Sequence, residues 1–212
     1  MNKKQSLASL IASTDGLSIF GSLDDRNVFK DTLKGILEED TGIKGVFLAN
    51  ADDSDVNDII KTDSPHSVVL LSPKLTNHQN ISDKFADENK SALRRSPDLV
   101  LMGDLCDESV IKDSIELSDT GIKVIGKIQA YDIGSILPCM VRSFSKEQQS
   151  SRCYDLIKST GVLIYETDVG FDVLVLDEAI KADLCDLLTG IYFDPKTMTA
   201  AVNDAFLASK TA

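Results

Sequence analysis

The stretch Ser91-Ala-Leu-Arg-Arg-Ser-Pro-Asp-Leu-Val-Leu-Met-Gly-Asp-Leu-Cys-Asp107 decides the fold. A helical pattern over 81–96 breaks at Pro97, because the proline ring disfavours helix in the residue before it. Asp98–Met102 then reads as a continuous apolar strand between polar ends, the pattern of a strand buried on both faces. Acidic groups follow at its carboxyl end, at Asp104 and Asp107. A strand fully buried in this way requires helices on both sides of its sheet.

The rest of the chain supplies them. Upstream, strands are expected over 16–22, 45–50 and 67–71, with helices over 25–39, 54–61 and 81–96 between them. Downstream, a helix over 108–118 stops at Gly121 and leads to a strand over 123–130. Two helical segments follow, 132–144 and 145–159, the first divided or kinked by Pro138. Strands over 161–166 and 171–176, joined by Thr-Asp-Val-Gly, read as an antiparallel hairpin. Helices over 178–188 and 195–208 come last. Strands alternating with amphipathic helices predict a three-layer α/β fold with a mostly parallel sheet. Residues 1–212 are expected to form one domain, with 1–14 a helix or tail. Ligands of such sheets sit beyond the carboxyl ends of the strands, here near Asp24, Asp104 and Gln129.

Composition narrows the function. Of 212 residues, 42% are hydrophobic and 26% charged, an ordinary globular balance. The formal charge of −12 opposes unassisted binding to nucleic acid or to an anionic membrane and favours a basic protein partner. Arg94-Arg95, the clearest basic pair, reads as a solvated helix end. Cys106, Cys139, Cys153 and Cys185 form no C-x-x-C and lie near no histidine at ligand spacing, so no metal site is expected and the thiols read as reduced and cytosolic. No apolar run is long enough to span a bilayer, and membrane insertion is not expected.

The opening stretch resembles the segment "ALRxxPDxILxGExRD" of the hexameric type II and type IV secretion and pilus-motor ATPases, with Asp104 where that family has its catalytic glutamate. Cys106 replaces the family's arginine, and Asp107 matches. Lys127-Ile-Gln-Ala-Tyr131 resembles the strand ending T-L-H-T-N, with Gln129 in the histidine position. Thr120-Gly121-Ile122 resembles a "TGH" turn that has lost its histidine. Phe144-Ser-Lys-Glu-Gln-Gln149 resembles "FPxEQQ", and Val175–Ile180 resembles "LVNTPAI". These matches fall in order from about Gly16 to Leu188. They imply the family's carboxyl-terminal RecA-like P-loop NTPase domain, without the domain that precedes it there.

The phosphate loop is where the resemblance fails. G-x-x-x-x-G-K-[ST] wraps phosphates in backbone amides, neutralises them with lysine and holds magnesium with a hydroxyl. Gly21-Ser-Leu-Asp-Asp-Arg-Asn-Val28 keeps only the first glycine: Arg26 stands for the second, Asn27 for the lysine and Val28 for the magnesium hydroxyl. Asp24 and Asp25 put anions at a helix N-terminus, where they would take the amides and dipole that a phosphate uses. Like charges at about 4 Å repel by about 4 kcal/mol at intermediate dielectric.

Asn27, Val28, Asp104 and Gln129 are therefore read as degenerate positions, and no catalytic residue, cofactor or metal is expected. The resemblance implies a silent pseudo-ATPase in a secretion, conjugation or pilus machine. It would dock on a hexameric secretion ATPase or on the cytoplasmic part of the apparatus, in the cytoplasm and at the inner face of the inner membrane through partners. Two alternatives stand beside it: a divergent ATPase using Arg26 and Asp104, and an α/β adaptor unrelated to secretion. His66 and His78 read as surface loop histidines, and Ser135 lacks the G-x-S-x-G of a nucleophile elbow.

Overall fold

The computed structural model describes residues 6–23, 28–38, 45–48, 69–71, 97–189 and 192–211. In chain order the elements are α1 (Leu7–Ser13), β1 (Leu17–Ser22), α2 (Val28–Glu38), β2 (Gly45–Leu48), β3 (Val69–Leu71), β4 (Leu99–Asp104), α3 (Glu108–Asp119) and β5 (Lys123–Gln129). A 3₁₀ turn, Ile133–Ser135, leads into α4 (Ile136–Val141). There follow α5 (Gln149–Ser159), β6 (Thr160–Thr167), β7 (Gly170–Val175), α6 (Glu178–Asp186), a second 3₁₀ turn at Leu187–Thr189, and α7 (Pro195–Thr211).

Among the described residues seven strands form one sheet, in the order β3-β2-β4-β5-β1-β6-β7. All neighbours are parallel except the β6–β7 hairpin. The α/β fold class expected from the sequence is the one observed. β5 lies between β1 and β4, so the two strands singled out by their tips are one strand apart.

Alternation along each strand divides the core between the two faces of the sheet. Leu17, Ile19, Val100, Met102, Val124, Ile128 and Leu163 pack in the larger core, with α3, α4, α5, α6 and α7. Phe20, Leu99, Leu101, Ile125, Val162 and Ile164 pack in the other, with Ala8 and Ile11 of α1 and Leu33 and Ile36 of α2. Both faces of the central strands are covered, which explains why Asp98–Met102 reads as apolar without alternation.

Several boundaries differ from expectation for local reasons. The segment 132–144 divides at Ser135 rather than at Pro138. Asp132 accepts from the Ser135 amide and the Ser135 hydroxyl reaches back, a capping box that starts the chain as a 3₁₀ turn. Pro138 sits in the first turn of α4, where its missing N–H leaves no bond unmade. Helix α5 begins at Gln149 instead of Ser145, since Gln148 and Gln149 amides both turn back to the Ser145 carbonyl. The expected helices over 54–61 and 81–96, with Arg94, Arg95, His66 and His78, lie outside the described residues. Among the described residues no helix is long and apolar enough to cross a membrane, and no group of three metal-ligating side chains occurs.

Candidate functional site

The carboxyl edge of β1, β5 and β4 is where this fold exposes strand tips to a ligand. β1 ends at Ser22 and α2 starts at Val28, so the connection that would form a phosphate loop is residues 23–27. That connection carries Asp24, Asp25, Arg26 and Asn27, and no lysine. Gly21 has a packing reason of its own: a Cβ there would meet Ile136 Cγ1 at 2.7 Å and Cδ1 at 2.9 Å. Gly21, the one position that keeps the phosphate-loop pattern, lies within β1 and gives room for Ile136 of α4 against the sheet.

Gln129 terminates β5 opposite Ser22. Its amide Nε2 donates to the Leu23 carbonyl at 3.1 Å, and the Ala130 amide donates to Ser22 at 3.0 Å. These bonds hold the tip of β5 to the start of the 23–27 connection. A glutamine provides this tie as a neutral donor.

Asp104 terminates β4 beside Lys127, which its register places directly across on β5. Gly103 has φ +71° and the ladder skips a residue between Leu101 and Gly103, a bulge of the kind glycine makes possible. The bulge re-aims the strand end, leaving the Asp104 carboxylate exposed and 3.8 Å from the Lys127 ammonium. Lys127 stands where the family's T-L-H-T-N has its threonine, a replacement that matching by motif passed over. The lysine is visible in the sequence two residues before Gln129, but its place opposite Asp104 depends on the pairing of β4 with β5.

A cavity of about 450 Å³ lies on the α4 side of the same edge, bordered by Leu23, Cys106, Gln129, Cys139, Arg142 and Ser143. Burial pushes the Cys139 thiol above its ordinary value, opposed by the nearby Arg142 charge. The Ser143 hydroxyl donates to the Cys106 carbonyl at 3.1 Å, fastening the loop after β4 to the end of α4. Cys106 and Cys139 border one cavity although 33 positions separate them, a proximity that no local pattern signals.

The structure brings Asp104, Gln129 and the start of the 23–27 connection to one edge. Val28 is the first residue of α2. Asn27, Asp24, Asp25 and Arg26 lie outside the described residues. Asp107, which matches the family, caps α3 by accepting from the Ser109 amide and hydroxyl, and those bonds hold its carboxyl below the usual value. Ser135 is occupied in its capping box. Phe144 of the FSKEQQ segment is buried and flanked by Lys112 and Arg152, each 5.9 Å from its ring centre, and its carbonyl accepts from Gln149.

A mostly parallel sheet in this strand order, covered by helices on both faces, is a RecA-like α/β fold. Solved structures with the same architecture include ATPases and a pilus retraction motor. The ATPase DotB of Legionella pneumophila superposes on 98% of this chain with a TM-score of 0.68 and 20% identity, 56% of its own length being covered. DotB of Yersinia pseudotuberculosis matches 96% of the chain at 0.69 and 20%, with 53% of its length covered. The pilus retraction motor PilT, solved with bound ADP, matches 85% at 0.65 and 14%, with 53% covered. This chain spans about half the length of each. No protein-family model and no curated protein matches it.

Proposed function

We propose that the chain is a catalytically silent relative of the secretion and pilus-motor ATPases, in which a RecA-like scaffold serves as a binding surface. Its place is as an accessory component of a type IV secretion, conjugation or pilus machine, held through protein partners at the cytoplasmic face of the inner membrane. The partner is a hexameric secretion ATPase or the cytoplasmic part of the apparatus.

One observation carries the reading. The five-residue connection between β1 and α2 is bounded by described elements, and it contains two aspartates and no lysine. Phosphoryl transfer depends on positioning and on neutralising phosphate charge, and this connection opposes both. The remaining polar groups of the edge support it: Gln129 is bonded to Leu23, and Asp104 faces Lys127 in place of an open general-base position.

Turnover tests the reading. The purified chain, alone and with a candidate secretion ATPase, should add no phosphate release to that of the partner, and Asp104→Ala should leave this unchanged. Release by the chain that Asp104→Ala abolishes would favour a divergent ATPase instead.

A further inference from the structure

The apolar groove between α6 and α7 lies apart from the β1–β5–β4 edge. It encloses about 720 Å³. Its floor is set by helical periodicity on two elements at once. Ile180, Leu184 and Leu187 line up at i, i+4 and i+7 along α6 and the turn after it, and Ala201, Ala205 and Ala208 do the same along α7. Large side chains on one wall face alanines on the other. The alanines are too short to reach across, so the groove stays open although its floor rests on buried Leu184 and Val202.

Charge decides what fits. Asp177, Asp183 and Asp204 border the groove, and all three are exposed. Lys181 and Lys210 of the same helices are engaged elsewhere. Lys181 donates to the Lys158 carbonyl on α5 and pairs with Glu178, while Lys210 binds Asp172 of β7 and lies 4.2 Å over the Phe206 ring. The rim is therefore anionic, within a chain whose net charge is −12. A pocket for a small molecule usually gathers a few convergent donors and acceptors. Here three carboxylates are distributed along both walls and the remaining polar side chain, Ser209, donates to the Phe206 carbonyl of its own helix, the pattern that suits a helix laid in a groove with cations on its flanks.

We infer that this groove is the docking site for an amphipathic helix of another protein, one that seats aliphatic side chains between α6 and α7 and sets lysines or arginines against Asp177, Asp183 and Asp204. The inference rests on the preceding reading only in taking the fold as a binding surface, and it names the partner's chemistry.

The test uses the full chain and two labelled synthetic 16-residue helical peptides with leucines at i, i+4 and i+7. One carries lysines on the flanks and the other glutamates at the same positions, and fluorescence polarisation reads binding. The lysine peptide should bind at least tenfold more tightly than the glutamate peptide and weaken with salt. Ala205→Leu, which fills the groove, and Asp204→Lys, which reverses an exposed rim charge, should each weaken it at least tenfold, with circular dichroism verifying that both variants are folded. Equal binding of the two peptides, no binding of either, or binding unaffected by Asp204→Lys would overturn the inference. So would concentration-dependent dimerisation abolished by Ala205→Leu, which would assign the groove to a second copy. Magnesium-ATP binding measured on the same sample separates the two failures: loss of peptide binding without nucleotide binding removes the groove alone.

Discussion

Single residues in this protein repeatedly hold positions that a nucleotide site would use while doing structural work. Gly21 is the plainest case, since its hydrogen is what lets Ile136 approach β1. Gly21→Ala should destabilise the fold by about 1–3 kcal/mol through overpacking, read as a lower urea midpoint at unchanged slope. An unchanged midpoint would remove the packing explanation. Gln129 ties β5 to Leu23, and Asp107 caps α3. The thiols separate by environment as well: burial pushes Cys153 up to about 12, whereas Cys106 is exposed. A native-state alkylation time course at pH 8 should label Cys106 within minutes and Cys153 only on unfolding, because the thiolate is the reacting form. Prompt modification of Cys153 would show that α5 is not seated as described.

At the scale of elements, two helix starts are set by aspartates. Asp107 opens α3 and Asp177 opens α6, each accepting from an amide of the first turn. Asp107→Ala or Asp177→Ala should each cost about 1 kcal/mol in chemical denaturation. The Asp107 contribution has a definite pH dependence. Its folded-state value lies below the ordinary 3.8, so the stabilisation is fully present above 3.8 and is lost as pH falls through the lower folded value. The midpoint difference between wild type and Asp107→Ala should therefore shrink in acid, and a difference that grows there would contradict the cap. Elements were also where the sequence was most legible. The apolar run before Gly103 reads as a buried strand and is one, and the Thr-Asp-Val-Gly corner read as a hairpin turn joins β6 to antiparallel β7. What escaped was set by contacts distant in sequence: Lys127 opposite Asp104 depends on register, the bulge at Gly103 on a backbone angle, and the shared cavity of Cys106 and Cys139 on how α4 crosses the sheet.

For the molecule as a whole, the proposed function treats the RecA-like scaffold and nucleotide chemistry as separable. The sheet order, the two cores and the hairpin depend on apolar periodicity, which this chain keeps. Phosphate binding depends on a handful of groups at one sheet edge, and the sequence of the connection that leaves this edge, residues 23–27, holds two aspartates and no lysine. The fold was legible because many residues vote for it. The candidate site was legible only by comparison of positions, since a lone Asp or Gln at a strand tip has an ordinary structural reading. The decisive measurement is a calorimetric titration of the purified protein with magnesium and ATP. A silent site should give no heat beyond dilution up to millimolar nucleotide. Saturable, magnesium-dependent binding with a dissociation constant in the micromolar range would contradict it.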